Sequence, residues 1–197
     1  TVALTTPEGA ARIAGTARPF DEVPQYRLPK GSFEHLDVGA LAGVAGLSTA
    51  LSGGLTLSAE GTTLADFRLD SELTLQESTI NRADLSEGSL TLSGEEGRLE
   101  TDGQFAVAGG YLQLQGQLDR LDQTPQYRLR TTARSLDVGA LAGLDTLEST
   151  LRAARWTVDG QGTALDSLTA TTRLSADSVR VGNVRLHALN LSGGLEG

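Results

Sequence analysis

Two aspartates are the first candidates for chemistry, because each stands in the same eight-residue motif. Asp37 lies within Leu36–Gly43, and Asp137 lies within the identical Leu136–Gly143. A carboxylate that recurs in this way invites a catalytic interpretation. The motif also places each Asp directly before Val-Gly-Ala-Leu-Ala, and an Asp in that position accepts a hydrogen bond from the first turn of a helix. We predict that both aspartates cap a short helix, which the last glycine of the motif ends.

The remaining groups that could do chemistry are scattered. His35 and His187 occupy different positions in the two copies and have no second His at ligand spacing, so we predict solvated side chains. Glu95–Glu96 and Asp119–Asp122 could hold a cation loosely, but without an Asp-x-Asp-x-Asp-Gly loop solvated turns are favoured. The chain contains no Cys, no Gly-x-Ser-x-Gly elbow and no Gly-x-Gly-x-x-Gly between a strand and a helix. We therefore predict that it is not an enzyme and has no metal site and no cofactor.

These motifs belong to a tandem repeat with a period of about 100 residues. Pro24–Leu28 returns as Pro125–Leu129, and the eight-residue motif returns 100 residues further along the chain. An internal repeat predicts units of similar structure that pack against their neighbours. We divide the chain into the end of a preceding repeat (1–23), a first β-repeat (24–123) and an incomplete second β-repeat (124–197).

Alternation of apolar and polar residues indicates the elements that must position these groups. It runs through Leu55–Ser58, Leu90–Leu92 and Leu112–Leu118 in the first repeat and through Trp156–Val158 in the second. A period of two is typical of half-buried strands, and no long helical segment separates the runs, so we predict an antiparallel meander. Glycines predict its turns at Gly53–Gly54, Gly94–Gly97, Gly109–Gly110, Gly160–Gly162, Gly182–Asn183 and Gly193–Gly194.

Two segments depart from this pattern. Pro29 interrupts the strand that opens at Tyr26. Because Pro cannot donate to a ladder, we expect a bulge, a short strand or a sheet edge there. Leu144–Leu151 has apolar residues at spacings of three and four, so the second helix could extend into it.

The apolar sides of the strands require a cover. Two sheets could form a sandwich, one sheet could close into a barrel, or an open trough could meet an apolar partner that is not protein. The chain has only 4 Phe, 3 Tyr and 1 Trp, fewer than a packed core of this size usually carries, and this favours the trough. We predict one concave face made by Leu55, Leu57, Leu73, Leu75, Leu90, Leu92, Leu112, Leu114, Leu129, Trp156, Val158 and Leu174.

Charge and composition limit the partners and the location. The net charge is −9, with Lys30 the only Lys. An acidic chain repels phosphate backbones and anionic headgroups, so we predict no nucleic-acid binding and no peripheral docking on anionic membranes. The chain contains no Met, so we expect it to be part of a longer protein. No apolar run approaches the roughly 20 residues of a spanning helix, so we expect any anchor to lie outside this chain.

Several of these features together resemble the AsmA and TamB group of bacterial envelope proteins. The features are a strand that opens with Tyr-x-Leu, a Leu-Asp-x-x-x-Leu turn, a β-run that ends in Gly-x-Gly, and Leu-rich strands with glycine hairpins. Tyr26–Gly61 and Tyr127–Gly162 carry the resemblance, with Gly103–Leu118 as the following hairpin. The chain thus looks like an interior periplasmic segment of such a protein.

The resemblance implies both a fold and a function. The fold is mostly β: a tandem repeat of antiparallel meandering strands in an elongated, curved, taco-like groove, with one short helix per repeat. The groove would bind phospholipid acyl chains through the twelve residues of the predicted face. It would conduct phospholipid between the inner and outer membranes and support outer-membrane biogenesis. The parent protein would be anchored in the inner membrane, and other parts of it would contact a TamA-like outer-membrane barrel. The alternative is a structural β-repeat segment of a secreted or adhesin-like surface protein with a fully covered core.

Overall fold

The computed structural model describes residues 2–144, 149–162 and 169–196. Most of them lie in strands, and two one-turn helices follow the third and ninth strands. The strands are β1 (Val2–Thr6), β2 (Gly9–Arg18), β3 (Gln25–Leu36), β4 (Thr49–Glu60), β5 (Arg68–Ile80), β6 (Ala83–Glu95), β7 (Arg98–Val107), β8 (Gly110–Asp119), β9 (Gln126–Arg134), β10 (Ser149–Gln161), β11 (Thr169–Val181) and β12 (Val184–Glu196). The helices are α1 (Val38–Ala42) and α2 (Val138–Leu141).

All twelve strands belong to one antiparallel sheet. Their order in the sheet is their order in the sequence, from β1 to β12. The prediction of a mostly β chain with meandering antiparallel strands is therefore confirmed. β1 and β12 are the two edges and do not pair with each other, so the sheet is not closed into a barrel.

Strand register divides the sheet into two chemically distinct faces. Residues directly opposite each other on neighbouring strands point to the same side, and successive residues along a strand alternate. One side, the polar face, includes a row of directly paired residues from β4 to β12. That row is Thr56, Glu72, Thr91, Asp102, Gln115, Arg130, Thr157, Arg173 and Ser192. The other side, the apolar face, carries most of the Leu, Val and Phe side chains.

Two of the predicted glycine turns, Gly53–Gly54 and Gly193–Gly194, are wrong, and a third, Gly160–Gly162, begins inside a strand that ends at Gln161. Gly53–Gly54 lies inside β4, Gly160 lies inside β10, and Gly193–Gly194 lies inside β12. A Cβ at Gly53 would collide with the Thr74 carbonyl of the next strand, and one at Gly160 would collide with the ring of Tyr127. These glycines therefore permit close approach within the sheet. The turns at Glu96–Gly97, Ala108–Gly109 and Gly182–Asn183 do join consecutive strands.

Pro29 produces a bulge, which confirms one of the three expectations for it. β3 runs through Pro29, but its register against β4 shifts between Leu28 and Gly31. The missing ladder donor is thus absorbed by an irregular pair of residues, and the strand continues on the same two faces.

The two aspartates of the repeated motif cap the two helices, as predicted. The Asp37 side chain accepts from the backbone N–H of Ala40 at 3.0 Å, and Asp137 accepts from that of Ala140 at 3.1 Å. Gly43, with φ of 66°, ends α1 in the left-handed conformation.

The expected extension of the second helix is wrong where the structure describes it. α2 ends at Leu141, and Ser149–Leu151 already belong to β10. Residues 145–148 of the predicted extension lie outside the described residues. The β-branched and polar residues that open β10 pair with β11, and that ladder overrides the local helical spacing.

The buried core lies near the ends of the strands that α1 and α2 follow, which we call the helical end. The most buried apolar residues there are Ala83 at 1% exposure, Leu85 at 2% and Val107 at 3%. Ala140 and Leu141 of α2 pack against this cluster. The rest of the apolar face is not covered to this degree.

Candidate binding face

A row of directly paired residues crosses the apolar face from one edge of the sheet to the other. We call it the central row, and its members are Val2, Ile13, Gly31, Leu55, Leu73, Leu90, Gly103, Leu114, Thr131, Trp156, Leu174 and Leu191. It contains no charged residue. Neighbouring strands lie about 4.8 Å apart, so the row spans roughly 50 Å across the twelve strands.

The twelve residues predicted for the face all point to this side of the sheet. Six of them are in the central row. Leu57, Leu92, Leu129 and Val158 occupy the next row away from the helical end, and Leu75 and Leu112 occupy the next row toward it. The registers thus bring together residues from seven strands that are spread over more than half of the sequence.

The exposure of these side chains is intermediate between a core and a free surface. All twelve are half-buried except Leu75, which is 8% exposed, and Trp156, which is 45% exposed. The accessible surface is 12580 Å², whereas a compact monomer of 20.5 kDa exposes about 8,900 Å². The excess fits a single layer of strands whose apolar side has no second protein layer among the described residues.

Aromatic rings that the sequence analysis did not assign to the face lie over its glycines. Phe105 lies in the row of Leu75, and its ring atoms come within 2.6 Å of where a Cβ on Gly88 would be and within 3.0 Å for Gly103. A Cβ on Gly103 would also meet Leu90 at 2.8 Å. Phe33 lies over Gly53 in the same way. The sequence does contain a signal for Phe105. It occupies an alternate position along its strand, as the predicted leucines do along theirs, so it could have been assigned to the same face.

Trp156 is held on the apolar face by its own polar atom. The indole Nε1–H donates to the Thr172 hydroxyl at 2.7 Å, and the register sets Trp156 between Thr131 and Leu174. Its ring therefore stands in the central row with almost half of its surface exposed.

An open depression marks the β1–β4 side of the apolar face. Its volume is about 360 Å³, and its lining includes Val2, Ile13, Tyr26, Leu28 and Leu57. Of these, Val2, Ile13, Tyr26 and Leu28 extend the apolar surface toward β1, beyond the twelve predicted residues.

Charged groups collect on the polar face near the strand ends opposite the helices. Arg98 contacts Asp119 at 2.9 Å, and Arg128 contacts Asp159 at 2.9 Å. These pairs are solvent-exposed, so they contribute little to stability. Both pairs place their charges on the polar face, on the side of the sheet away from the apolar rows.

A loop at that opposite end, residues 61–67, places another ring on the apolar face. The Asp66 carboxylate accepts from the hydroxyls and backbone N–H groups of Thr62 and Thr63. These bonds, the Thr62 hydroxyl foremost, hold the pKa of Asp66 far below its ordinary value. The ring of Phe67 then lies against Gly94, where any Cβ would collide with it.

None of the groups considered for catalysis forms a site in the described part of the chain. The backbone N–H of Ala40, with smaller contributions from Thr49, lowers the pKa of Asp37, which fits its role as a cap. His35 in β3 and His187 in β12 are both exposed, and eight strands lie between them in the sheet. The described residues contain no group of three His, Cys, Asp or Glu placed to hold a metal ion.

Comparison of the chain with protein-family models, with curated proteins and with solved structures gives no match. No helix among the described residues is long and apolar enough to cross a membrane.

Proposed function

We propose that the apolar face binds the acyl chains of phospholipid. The chain would be one segment of a hydrophobic β-groove that conducts phospholipid between the inner and outer membranes of a bacterial envelope. The observation that carries the proposal is the exposure of the face. Rows of Leu, Val and Phe cross the sheet, they are half-exposed, and the described chain provides no layer to cover them. An aliphatic ligand removes that surface from water at a gain of about 25 cal/mol per Å².

The proposed groove forms when the sheet curves about an axis parallel to its rows, which cross the strands from β1 to β12. The apolar face then lies inside, the polar face with its exposed ion pairs lies outside, and the rows run along the groove. Each repeat contributes one short helical turn, and both turns stand at the helical end of the strands. They close one long side of the groove, and the opposite strand ends leave the other side accessible to water and to headgroups.

The resemblance of Tyr26–Gly61 and Tyr127–Gly162 to the AsmA and TamB group supports the cellular setting. We place the chain in the periplasm, as part of an envelope protein anchored in the inner membrane by another segment. Its partners are phospholipid acyl chains, and a TamA-like outer-membrane barrel is contacted through other parts of the parent chain. Neither catalysis nor nucleic-acid binding forms part of this function.

Trp156 offers a direct test, because it is the only Trp in the chain and stands on the proposed lipid path. Phospholipids with brominated acyl chains quench indole fluorescence on contact. We expect brominated lipid to quench Trp156, and unbrominated lipid of the same headgroup to leave it unquenched. Leu174→Asp places a charge directly opposite Trp156 and should abolish the quenching. The matched control is Ser175→Asp, one residue further and on the polar face, which should quench as the unchanged chain does.

The same protein purified from cells should carry phospholipid that native mass spectrometry detects. If neither quenching nor co-purified phospholipid is found, the apolar face does not bind lipid. The chain would then be a structural β-repeat segment whose face is covered by other protein, as in the adhesin-like alternative.

A further inference from the structure

Three arginines stand close together on the polar face of the second repeat. Arg130 in β9 and Arg173 in β11 belong to one row of directly paired residues, with one residue of β10 between them. Arg155 of β10 lies in the next row toward the helical end. Neighbouring strands are about 4.8 Å apart and alternate residues of a strand about 6.8 Å apart, so the three Cα atoms are roughly 8–10 Å from one another. We call these three residues the arginine patch.

The side chains of the arginine patch are exposed and have no countercharge. In the described part of the chain, none of the three makes an ion pair or a side-chain hydrogen bond. Arg128, two residues before the patch in β9, is by contrast paired with Asp159. The residues directly beside the patch in its two rows carry hydroxyl groups: Thr132, Thr157 and Ser175. The five N–H donors of each guanidinium are therefore available to a ligand, with further hydroxyl donors between them.

The patch belongs to a basic region of an acidic chain. The strands β9, β10 and β11 together contain seven Arg and only two acidic residues, Asp159 and Asp177. The whole chain nevertheless has a net charge of −9. Positive charge is thus concentrated on three neighbouring strands, and its local field is opposite in sign to that of the rest of the chain. Such a region attracts anionic groups.

The first repeat shows that the fold does not require these arginines. At the spacing that separates Pro24 from Pro125, the counterparts of the arginine patch are Pro29, Gly54 and Glu72. The corresponding strands β3, β4 and β5 carry three basic and five acidic residues, so the sign of the charge is reversed. The same strand pairing is therefore built without positive charge at these positions. The arginines are not needed to form the sheet, which points to a role in binding.

Neighbouring carboxylates limit the size of the ligand. Glu72 of β5 and Asp102 of β7 lie in the same row of the polar face as Arg130. Asp102 is two strands, or about 10 Å, away from Arg130. An extended anionic surface, such as nucleic acid or an anionic membrane, would reach over these carboxylates and be repelled by them. A short acidic ligand avoids that repulsion, because it fits within the width of β9, β10 and β11.

We propose that the arginine patch binds a short acidic segment of a partner protein, with one carboxylate on each arginine. Alternate side chains of an extended peptide point to the same side about 6.8 Å apart, which the long arginine stems can match from Cα atoms roughly 8–10 Å apart. The guanidinium fork binds a carboxylate through two parallel hydrogen bonds, which a lysine cannot do. The site lies on the side of the sheet opposite the apolar face, so a partner bound there leaves that face open.

Fluorescence anisotropy of a labelled oligoglutamate peptide tests the proposal, with oligoglutamine of the same length as the uncharged probe. We expect the unchanged chain to bind oligoglutamate and not oligoglutamine. Binding should weaken steeply between 0.1 M and 1 M salt, as the screening length falls from about 10 Å to about 3 Å. Arg130→Glu and Arg173→Glu should each weaken binding by at least about tenfold, because like charges then face each other. The matched control is Arg27→Glu, an equal charge change at an exposed residue on the polar face of β3, and it should bind normally.

Far-ultraviolet circular dichroism should be the same for all these chains, since the three altered side chains are exposed. The proposal is overturned if the unchanged chain does not bind oligoglutamate, or if Arg130→Glu and Arg173→Glu bind it as Arg27→Glu does. It is also overturned if inorganic polyphosphate or anionic phospholipid vesicles bind through the patch and oligoglutamate does not, because the partner would then carry phosphate. Self-association that both patch variants abolish, without any binding of the peptide, would assign the patch to a second copy of the chain instead.

Discussion

A carboxylate at position 114 distinguishes an open apolar face from a closed core. Leu114 is half-buried, and its directly paired neighbours in the central row are Gly103 and Thr131. Full burial of a Leu side chain is worth about 1.5–3 kcal/mol, so losing the partial burial here costs roughly 1–2 kcal/mol. On an open face the new carboxylate stays hydrated and adds little to that cost. We expect Leu114→Asp to fold and to lose about 1–2 kcal/mol, in the range of ordinary point mutants.

Two other variants bracket this value. Gln113→Asp places the same charge one residue earlier on the polar face and should change stability by less than about 0.5 kcal/mol. Leu85→Asp places it where the side chain is 2% exposed. An unpaired charge there costs several kcal/mol, enough to remove much of the roughly 5–15 kcal/mol that stabilises a domain.

The assays are urea unfolding followed by far-ultraviolet circular dichroism, and native mass spectrometry of lipid bound after purification. Leu114→Asp should keep a cooperative transition and lose its lipid, while Gln113→Asp keeps both. If Leu114→Asp abolishes the transition as Leu85→Asp does, the face is a closed protein core. A covered face could not take up an acyl chain, so that result would refute the proposed lipid function.

Three further outcomes follow from contacts described above. Gly103→Ala should lower the free energy of unfolding by about 1–3 kcal/mol through overpacking. Gly193→Ala should change it by less than about 0.5 kcal/mol, because its Cβ would meet only one methyl group, at 3.5 Å. Thermal denaturation of the two variants checks this. Asp137→Ala should cost about 1 kcal/mol in urea unfolding through loss of the helix cap, and an equally stable variant would contradict the capping role. Asp66 has a lowered folded pKa, so its stabilisation is complete above its unfolded pKa of about 3.9 and is lost as the pH falls through the folded value. The difference in unfolding free energy between the unchanged chain and Asp66→Asn should accordingly become smaller as the pH falls. A difference that does not change with pH would refute the role of the Thr62 bonds.

The faces of the strands could be predicted from the sequence because the period of a strand is two. Leu55 and Leu57, or Leu112 and Leu114, cannot occupy opposite sides of one strand unless a bulge intervenes. Their partners across the sheet then follow, since a register slip of one residue would turn the whole apolar set toward water. The two Asp caps were predictable for a similar reason, because the backbone donors that they satisfy are local.

The strand glycines could not be assigned in this way. Gly53 and Gly193 look like turn residues in the sequence, because glycine frees the backbone locally. What places them inside β4 and β12 is the neighbouring strand, which leaves no space for a Cβ at Gly53 and supplies ladder bonds along both strands. The end of α2 was predicted wrongly for the same reason, because pairing of β10 with β11 outweighs a short run of helical spacing. Contacts distant in sequence decide both cases, and only the folded sheet reveals them.

The central row distinguishes lipid binding from a closed core. Both require that the row be apolar, but only lipid binding requires that it also stay uncovered by protein, which Leu114 and Trp156 probe. A charge within the row, as in Leu114→Asp or Leu174→Asp, should therefore remove lipid contact at Trp156 and spare the fold. The matched changes on the polar face, Gln113→Asp and Ser175→Asp, should spare both.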